Sequence, residues 1–177
     1  MIFRLAAIAL LLPSALLLNA CSAQTSPDKL KRLGAPIEGY SHTSDAINRF
    51  SVNGIGGPNV GPHQGGGKQN CCVSMPVTWQ PGLTVVVEWE EYPNPRAKLP
   101  PLGTDTFHKA YTVHAAGYTH HRVEVEVAPY EVLGVVNVHF LPCNEVKVTA
   151  GIYGYGHPQY PYVDSLNMEE PSQCLHQ

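Results

Sequence analysis

Residues 54–67 hold seven glycines and two prolines in fourteen positions. Glycine supplies the backbone angles of tight turns, proline removes a hydrogen-bond donor, and no regular element survives such a density of both. The flanks narrow the possibilities further. Phe50-Ser51-Val52 leads into the loop, adjacent cysteines Cys71 and Cys72 leave it, and a Trp79-Gln80-Pro81-Gly82 corner feeds residues 83–90. There Leu83, Val85, Val87 and Trp89 alternate with Thr84, Val86, Glu88 and Glu90. Alternation of period two is the pattern of a half-buried β-strand. A chain organised around a turn-rich loop between extended segments is a β-protein.

Other segments repeat the pattern. Residues 37–43 and 47–52 read as the first two strands. His121, Val123, Val125 and Val127 alternate with Arg122, Glu124 and Glu126, which predicts a strand with a charged outer face. Residues 135–141 and 146–150 follow, and Pro142-Cys143-Asn144 joins them at hairpin length. His139 falls on the opposite face of its strand from Val136 and Val138. Pro93, Pro95, Pro100 and Pro101 mark residues 92–103 as an exposed loop, and residues 106–116 are expected to be extended. No amphipathic helix is expected in the mature chain. The expected fold is all-β, a small antiparallel β-sandwich or open barrel of about seven strands.

The N-terminus reads as a targeting segment. Arg4 precedes apolar residues 5–18, a run of signal-peptide length that is short for a membrane span. Leu18-Asn19-Ala20-Cys21 resembles a bacterial lipobox and predicts acylation of Cys21. Ser22 rather than Asp after that cysteine favours the outer membrane. Acyl chains contribute about 0.8 kcal/mol per buried methylene, so several hold a domain at a bilayer without a span. The expected organisation is a signal peptide (1–20), a lipidated tether (21–35), a β-domain (36–150) and an irregular tail rich in Tyr, Pro and Gly (151–177). The formal charge is −3, and removal of residues 1–20 leaves 10 bases against 14 acids. Such a balance does not favour nucleic acid, which calls for clustered Lys and Arg.

Cys71, Cys72, Cys143 and Cys174 are disulfide candidates in an oxidising envelope, with three connectivities possible. The expected arrangement joins each of Cys71 and Cys72 to Cys143 or Cys174; a bond between the two neighbours is the alternative. The spacing is neither that of a redox pair nor that of a zinc site. A phosphate-binding loop fails because Gly67-Lys68 is followed by Gln69 and Pro62 stands in place of the first glycine. A dinucleotide fingerprint starting at Gly54 fails at Asn59. The nine histidines, His42, His63, His108, His114, His120, His121, His139, His157 and His176, show no metal-ligand spacing and read as surface and loop residues. Glu88, Glu90, Glu91, Glu124 and Glu126 read as exposed strand carboxylates, which lack the burial that tunes a general acid. No enzyme activity, cofactor or metal is expected. Tyr153, Tyr155, Tyr160 and Tyr162 either bind a partner or cover the end of the sandwich.

The stretches Gly39-Tyr40-Ser41-His42-Thr43, Phe50-Ser51-Val52-Asn53-Gly54-Ile55-Gly56-Gly57, Cys71-Cys72-Val73-Ser74-Met75-Pro76, Trp79-Gln80-Pro81-Gly82-Leu83 and Val138-His139-Phe140-Leu141-Pro142 resemble a family of small proteobacterial lipoproteins of unknown function. The likeness covers roughly residues 39–150. Members of that family are commonly encoded beside lipase effectors of the type VI secretion system, where they look like immunity proteins. The resemblance implies an outer-membrane lipoprotein that faces the periplasm, has a protein partner and neutralises a phospholipase effector. It brings no catalytic residues. A structural or assembly lipoprotein of the envelope is the alternative. Loops 54–70 and 92–103 are the expected surfaces for covering a lipase cleft.

Overall fold

The computed structural model describes residues 31–174, so Cys21, His176 and the whole signal segment lie outside the described residues. Its elements are β1 (Arg32–Ser41), β2 (Ala46–Val52), β3 (Ile55–Gly56), β4 (Gln64–Gly65), β5 (Asn70–Pro76), β6 (Thr84–Tyr92), α1 (Asp105–Ala115), β7 (Thr119–Glu126), β8 (Leu133–Phe140) and β9 (Val146–Gly151). The first sheet runs β4-β1-β8-β9, with β5 also paired to β1; the second runs β3-β2-β6-β7. The alternating apolar residues meet between them: Val136, Val138, Phe140 and Val148 from the first sheet, Ile47, Phe50, Val52, Val85, Val87 and Trp89 from the second. Phe50 sits edge-on to Phe140 at 5.2 Å, in a slot that two glycines leave open. A Cβ at Gly39 would stand 2.9 Å from the Phe50 ring, and one at Gly57 would collide with it. The fold is all-β, as the alternation predicts.

One strand pair departs from an antiparallel arrangement, besides an isolated parallel bridge between Val127 and Val148. β1 and β8 run parallel, from Ile37↔Val136 to Ser41↔Phe140. Parallel neighbours need a long crossover, and here the entire second sheet provides it. β1 also starts earlier than expected, inside the segment read as tether, because Arg32 to Ala35 pair with Pro76 to Val73 of β5.

The registers give the sandwich two ends. Arg32, Pro76, Trp79 and Val127 lie at the end where the described chain enters; Trp79 Nε1 donates to Val127 O and Tyr130 Oη to Pro76 O. Ser41, Ala46, Tyr92, Thr119 and Phe140 lie at the far end.

Residues 105–115 form a helix rather than the extended segment expected. The β6–β7 register is complete up to Glu91↔Thr119, so the two strands that flank these residues are already paired with each other. An unpaired extended backbone would leave its polar groups to water alone, whereas a helix satisfies them internally. Thr104 caps it, its Oγ1 accepting from Phe107 N at 3.1 Å, and Asp105 lies in the first turn.

The cysteines pair otherwise than expected: Cys71 with Cys72, and Cys143 with Cys174 at a Cα separation of 5.4 Å. Register explains the difference. Cys71 and Cys72 sit across from β1 between Ala35 and Ile37, while Cys143 follows Phe140, which faces Ser41. The residues between, at about 3.3 Å each, put the two sites roughly 13 Å or more apart along β1, beyond the ~7 Å a disulfide spans.

Candidate functional site

Two regions carry the polar chemistry, one closed and one open. The closed one is the outer face of the first sheet. Tyr40 and His42 (at and just beyond the end of β1), Asn137 and His139 (β8) and Lys147 and Thr149 (β9) project there, and residues 152–170 cross over them. His42 and His139 are buried, so the reading of these two as surface residues is corrected. The tail supplies what their burial requires. The Ser165 carbonyl can only accept, so His42 Nδ1 donates to it at 2.7 Å. His42 Nε2 then accepts from His139 Nδ1 at 2.8 Å, and His139 Nε2 accepts from Tyr160 Oη at 2.5 Å. Tyr160 Oη accepts from Thr149 Oγ1, which accepts from Asn137 Nδ2. Every hydrogen in this chain points one way.

Burial, reinforced by His42, pushes the His139 pKa down to about 3. Burial also raises the Tyr160 phenol well above its usual value. Tyr40 stacks on His139 at 4.7 Å, and Lys147 pairs with Asp164 at 2.9 Å beneath Tyr162. Of the two roles open to the tail tyrosines, Tyr155, Tyr160 and Tyr162 serve as cover, though for a sheet face rather than a sandwich end. The arrangement keeps His42 and His139 hydrogen-bonded to protein atoms.

The open region is the second sheet and what rises from it. Arg49, Ser51, Gly54, Glu88, His120 and Arg122 line a shallow concavity of about 600 Å³. Its cations already have partners: Arg49 meets Glu90 at 2.7 Å and Arg122 meets Glu88 at 3.2 Å. Glu90 is 7% exposed, which corrects its reading as a surface carboxylate. A bulge between Ile47 and Arg49 brings Asn48 and Arg49 to it together. The Asn48 amide first, and then Arg49, hold its pKa below the usual range. Glu91, on the other face, is half-buried; desolvation, with Asp45 and Glu170 nearby, pushes its pKa up to about 7. Among the described residues, the cluster close enough to hold a metal is Cys143, Cys174 and Glu170, but its two sulfurs are bonded to each other.

From the far end of β6 and β7 rises the lobe of residues 93–118. None of the residues of α1 is buried. Leu102 is 83% exposed, Val113 77% and Tyr111 42%. Contacts gather at the base of the lobe, where Tyr92 and Tyr118 lie 5.1 Å apart and His114 packs edge-on to both. Sequence reasoning marked residues 92–103 as exposed loop but missed the helix that follows. The signal that could have found it is the Thr104-Asp105 pair after Pro100-Pro101-Leu102-Gly103, a capping residue and an acidic first turn behind a helix-breaking run. Periodicity was weak because the inward side of this helix, Phe107, Ala110, His114 and Ala115, is only half-buried and includes a histidine.

A family model described as "Protein of unknown function (DUF3304)" matches residues 40–148, from the end of β1 through both sheets and the lobe into β9. No curated protein and no solved structure matches the chain.

Proposed function

The chain belongs to the DUF3304 family of proteins of unknown function, and from that premise we propose that it is an immunity protein: an outer-membrane lipoprotein facing the periplasm that binds and neutralises a type VI secretion phospholipase effector. The observation that carries this reading is the lobe of residues 93–118. Ordering a helix costs conformational entropy, normally offset by burying a face, and α1 has no fully buried residue: its inward side, Phe107, Ala110, His114 and Ala115, is only half-buried. An element of this kind adds little to its own domain and is available to a partner. It stands at the end of the sandwich opposite Arg32, the described end nearer in sequence to Cys21. Neutralisation by coverage asks for an exposed surface and a durable scaffold, and needs no reacting group.

The second reading, an envelope structural or assembly lipoprotein, draws on the other apolar surface. A cleft of about 220 Å³ between Tyr130, Val132, Ile152 and Tyr153 lies towards the entry end, with Val132 55% and Ile152 57% exposed.

Periplasmic co-expression separates the two. The reading expects a lipase gene beside this one, and cells producing that lipase are expected to survive when the full chain is present, and the two proteins to co-purify. Equal killing with and without the chain would sink the immunity reading. Metabolic labelling with a palmitate analogue tests the anchor: label is expected on the wild type and lost in Cys21→Ser.

A further inference from the structure

The exposed side chains of α1 specify the kind of surface that receives it. Successive helical residues are about 100° apart, so Tyr111 and Val113 point to roughly opposite sides. Phe107 stacks on Tyr111 at 5.7 Å along one side. Lys109 and Val113, four positions apart, share the other. A flat partner, or a bilayer surface, meets only one side of a helix, and interfacial helices concentrate their apolar residues there. Apolar groups on both sides suit a cleft with two walls. Charge narrows the partner further. Residues 93–118 carry Arg96, Lys98 and Lys109 against Asp105 alone, a net of +2 in a chain of net −3. The lobe is a basic segment of an acidic chain, and its complement is an acidic rim.

We propose that residues 93–118 insert as a wedge into a two-walled apolar cleft with an acidic rim on the partner protein. This inference rests on the immunity reading and names the site and chemistry of that contact. α1 extends about 16 Å, the scale of the depth such a cleft has to offer.

The test uses the mature full-length protein in detergent and the neighbouring lipase, with affinity read by calorimetry and association by stopped flow. Tyr111→Ser/Val113→Ser is expected to weaken binding by about 30-fold, as loss of a buried apolar anchor does. Lys98→Glu/Lys109→Glu is expected to slow association about 10-fold and to flatten its salt dependence. Val132→Ser/Ile152→Ser, in the entry-end cleft, is expected to leave affinity unchanged. All three are expected to melt like the wild type, since none of these side chains is buried. Wild-type affinity in both lobe variants overturns the wedge and leaves the immunity reading standing. Equal loss in the Val132/Ile152 variant also overturns it. Absence of any complex with the wild type overturns both. Anionic phosphatidylglycerol vesicles provide the last arm: lobe substitutions that abolish vesicle binding while sparing the lipase complex would assign the lobe to the membrane and overturn the wedge.

Discussion

The tail over the first sheet and the lobe above the second draw on the same residue types, Tyr, His, Pro and Gly, and end in opposite states. In the tail nearly every ring finds a partner: His139 alone is packed by Tyr40, Tyr155, Tyr160 and Tyr162. In the lobe the rings meet one another at the base, and no residue of α1 is fully buried. The difference lies in the attachments. The tail is pinned at its end by Cys143–Cys174, near its middle by Lys147 and Asp164, and between them by Met168 N donating to His42 O. Among the described residues, no disulfide, salt bridge or side-chain hydrogen bond ties the lobe to the sheets. Composition therefore does not separate a cover from a projection; cross-links to distant residues do.

The sharpest way to break this contrast is to remove the pin. Cys143→Ala/Cys174→Ala opens a loop of sequence separation 31 and is expected to lose about 4 kcal/mol in urea denaturation, with proteolysis beginning in the tail. A loss below about 1 kcal/mol would mean that the hydrogen-bonded rings hold the tail unaided. His139→Ala comes next. It leaves a cavity and strips a partner from both His42 and Tyr160, for a loss of about 3 kcal/mol. This site also sets a pH dependence. His139 has a folded pKa of about 3 against about 6.5 unfolded, so its contribution is complete above pH 6.5 and is lost as pH falls towards 3. The slope is about 1.4 kcal/mol per pH unit, and a stability–pH curve of His139→Phe is expected to be flatter there.

At the base of the lobe the sign reverses. The folded pKa of Glu91, about 7, exceeds its unfolded value, so its contribution is complete below that unfolded value and is lost as pH rises through 7. Glu91→Gln is expected to stabilise the protein by about 1–2 kcal/mol at pH 8, after allowance for its partial exposure, and to change nothing at pH 4. Identical shifts at both pH values would show that desolvation of the carboxylate is not the cause. The smallest effect belongs to the lobe itself. Leu102→Ser and Val113→Ser are expected to stay within about 0.5 kcal/mol of wild type by thermal melting. A larger loss would show that α1 supports the domain and would remove the reason to assign it to a partner.

Much of the scaffold was legible because strand alternation is local. Phe50 and Val52, Val85 to Trp89, Val123 and Val125, and Val136 to Phe140 lie on the faces that period two assigns them, and His139 lies on the face opposite Val136 and Val138. The sites were less legible. His42 looked like a surface residue because its partners, His139 and Ser165, are 97 and 123 positions away. Glu90 looked exposed because its burial depends on a bulge in a different strand. The helix escaped because its inward side, Phe107, Ala110, His114 and Ala115, is only half-buried and gives little apolar pattern to read.

By itself the amino-acid order determined the β character, the turn-rich loop at 54–67, the acidic balance and the lipobox-like start, all set by interactions within a few residues or by composition. The tertiary structure alone decided the parallel β1–β8 contact, the cysteine partners, the buried rings under the tail and the projecting lobe. Each depends on which distant segments come to lie side by side, and that choice belongs to the packing of the whole core, where no short window of sequence carries it.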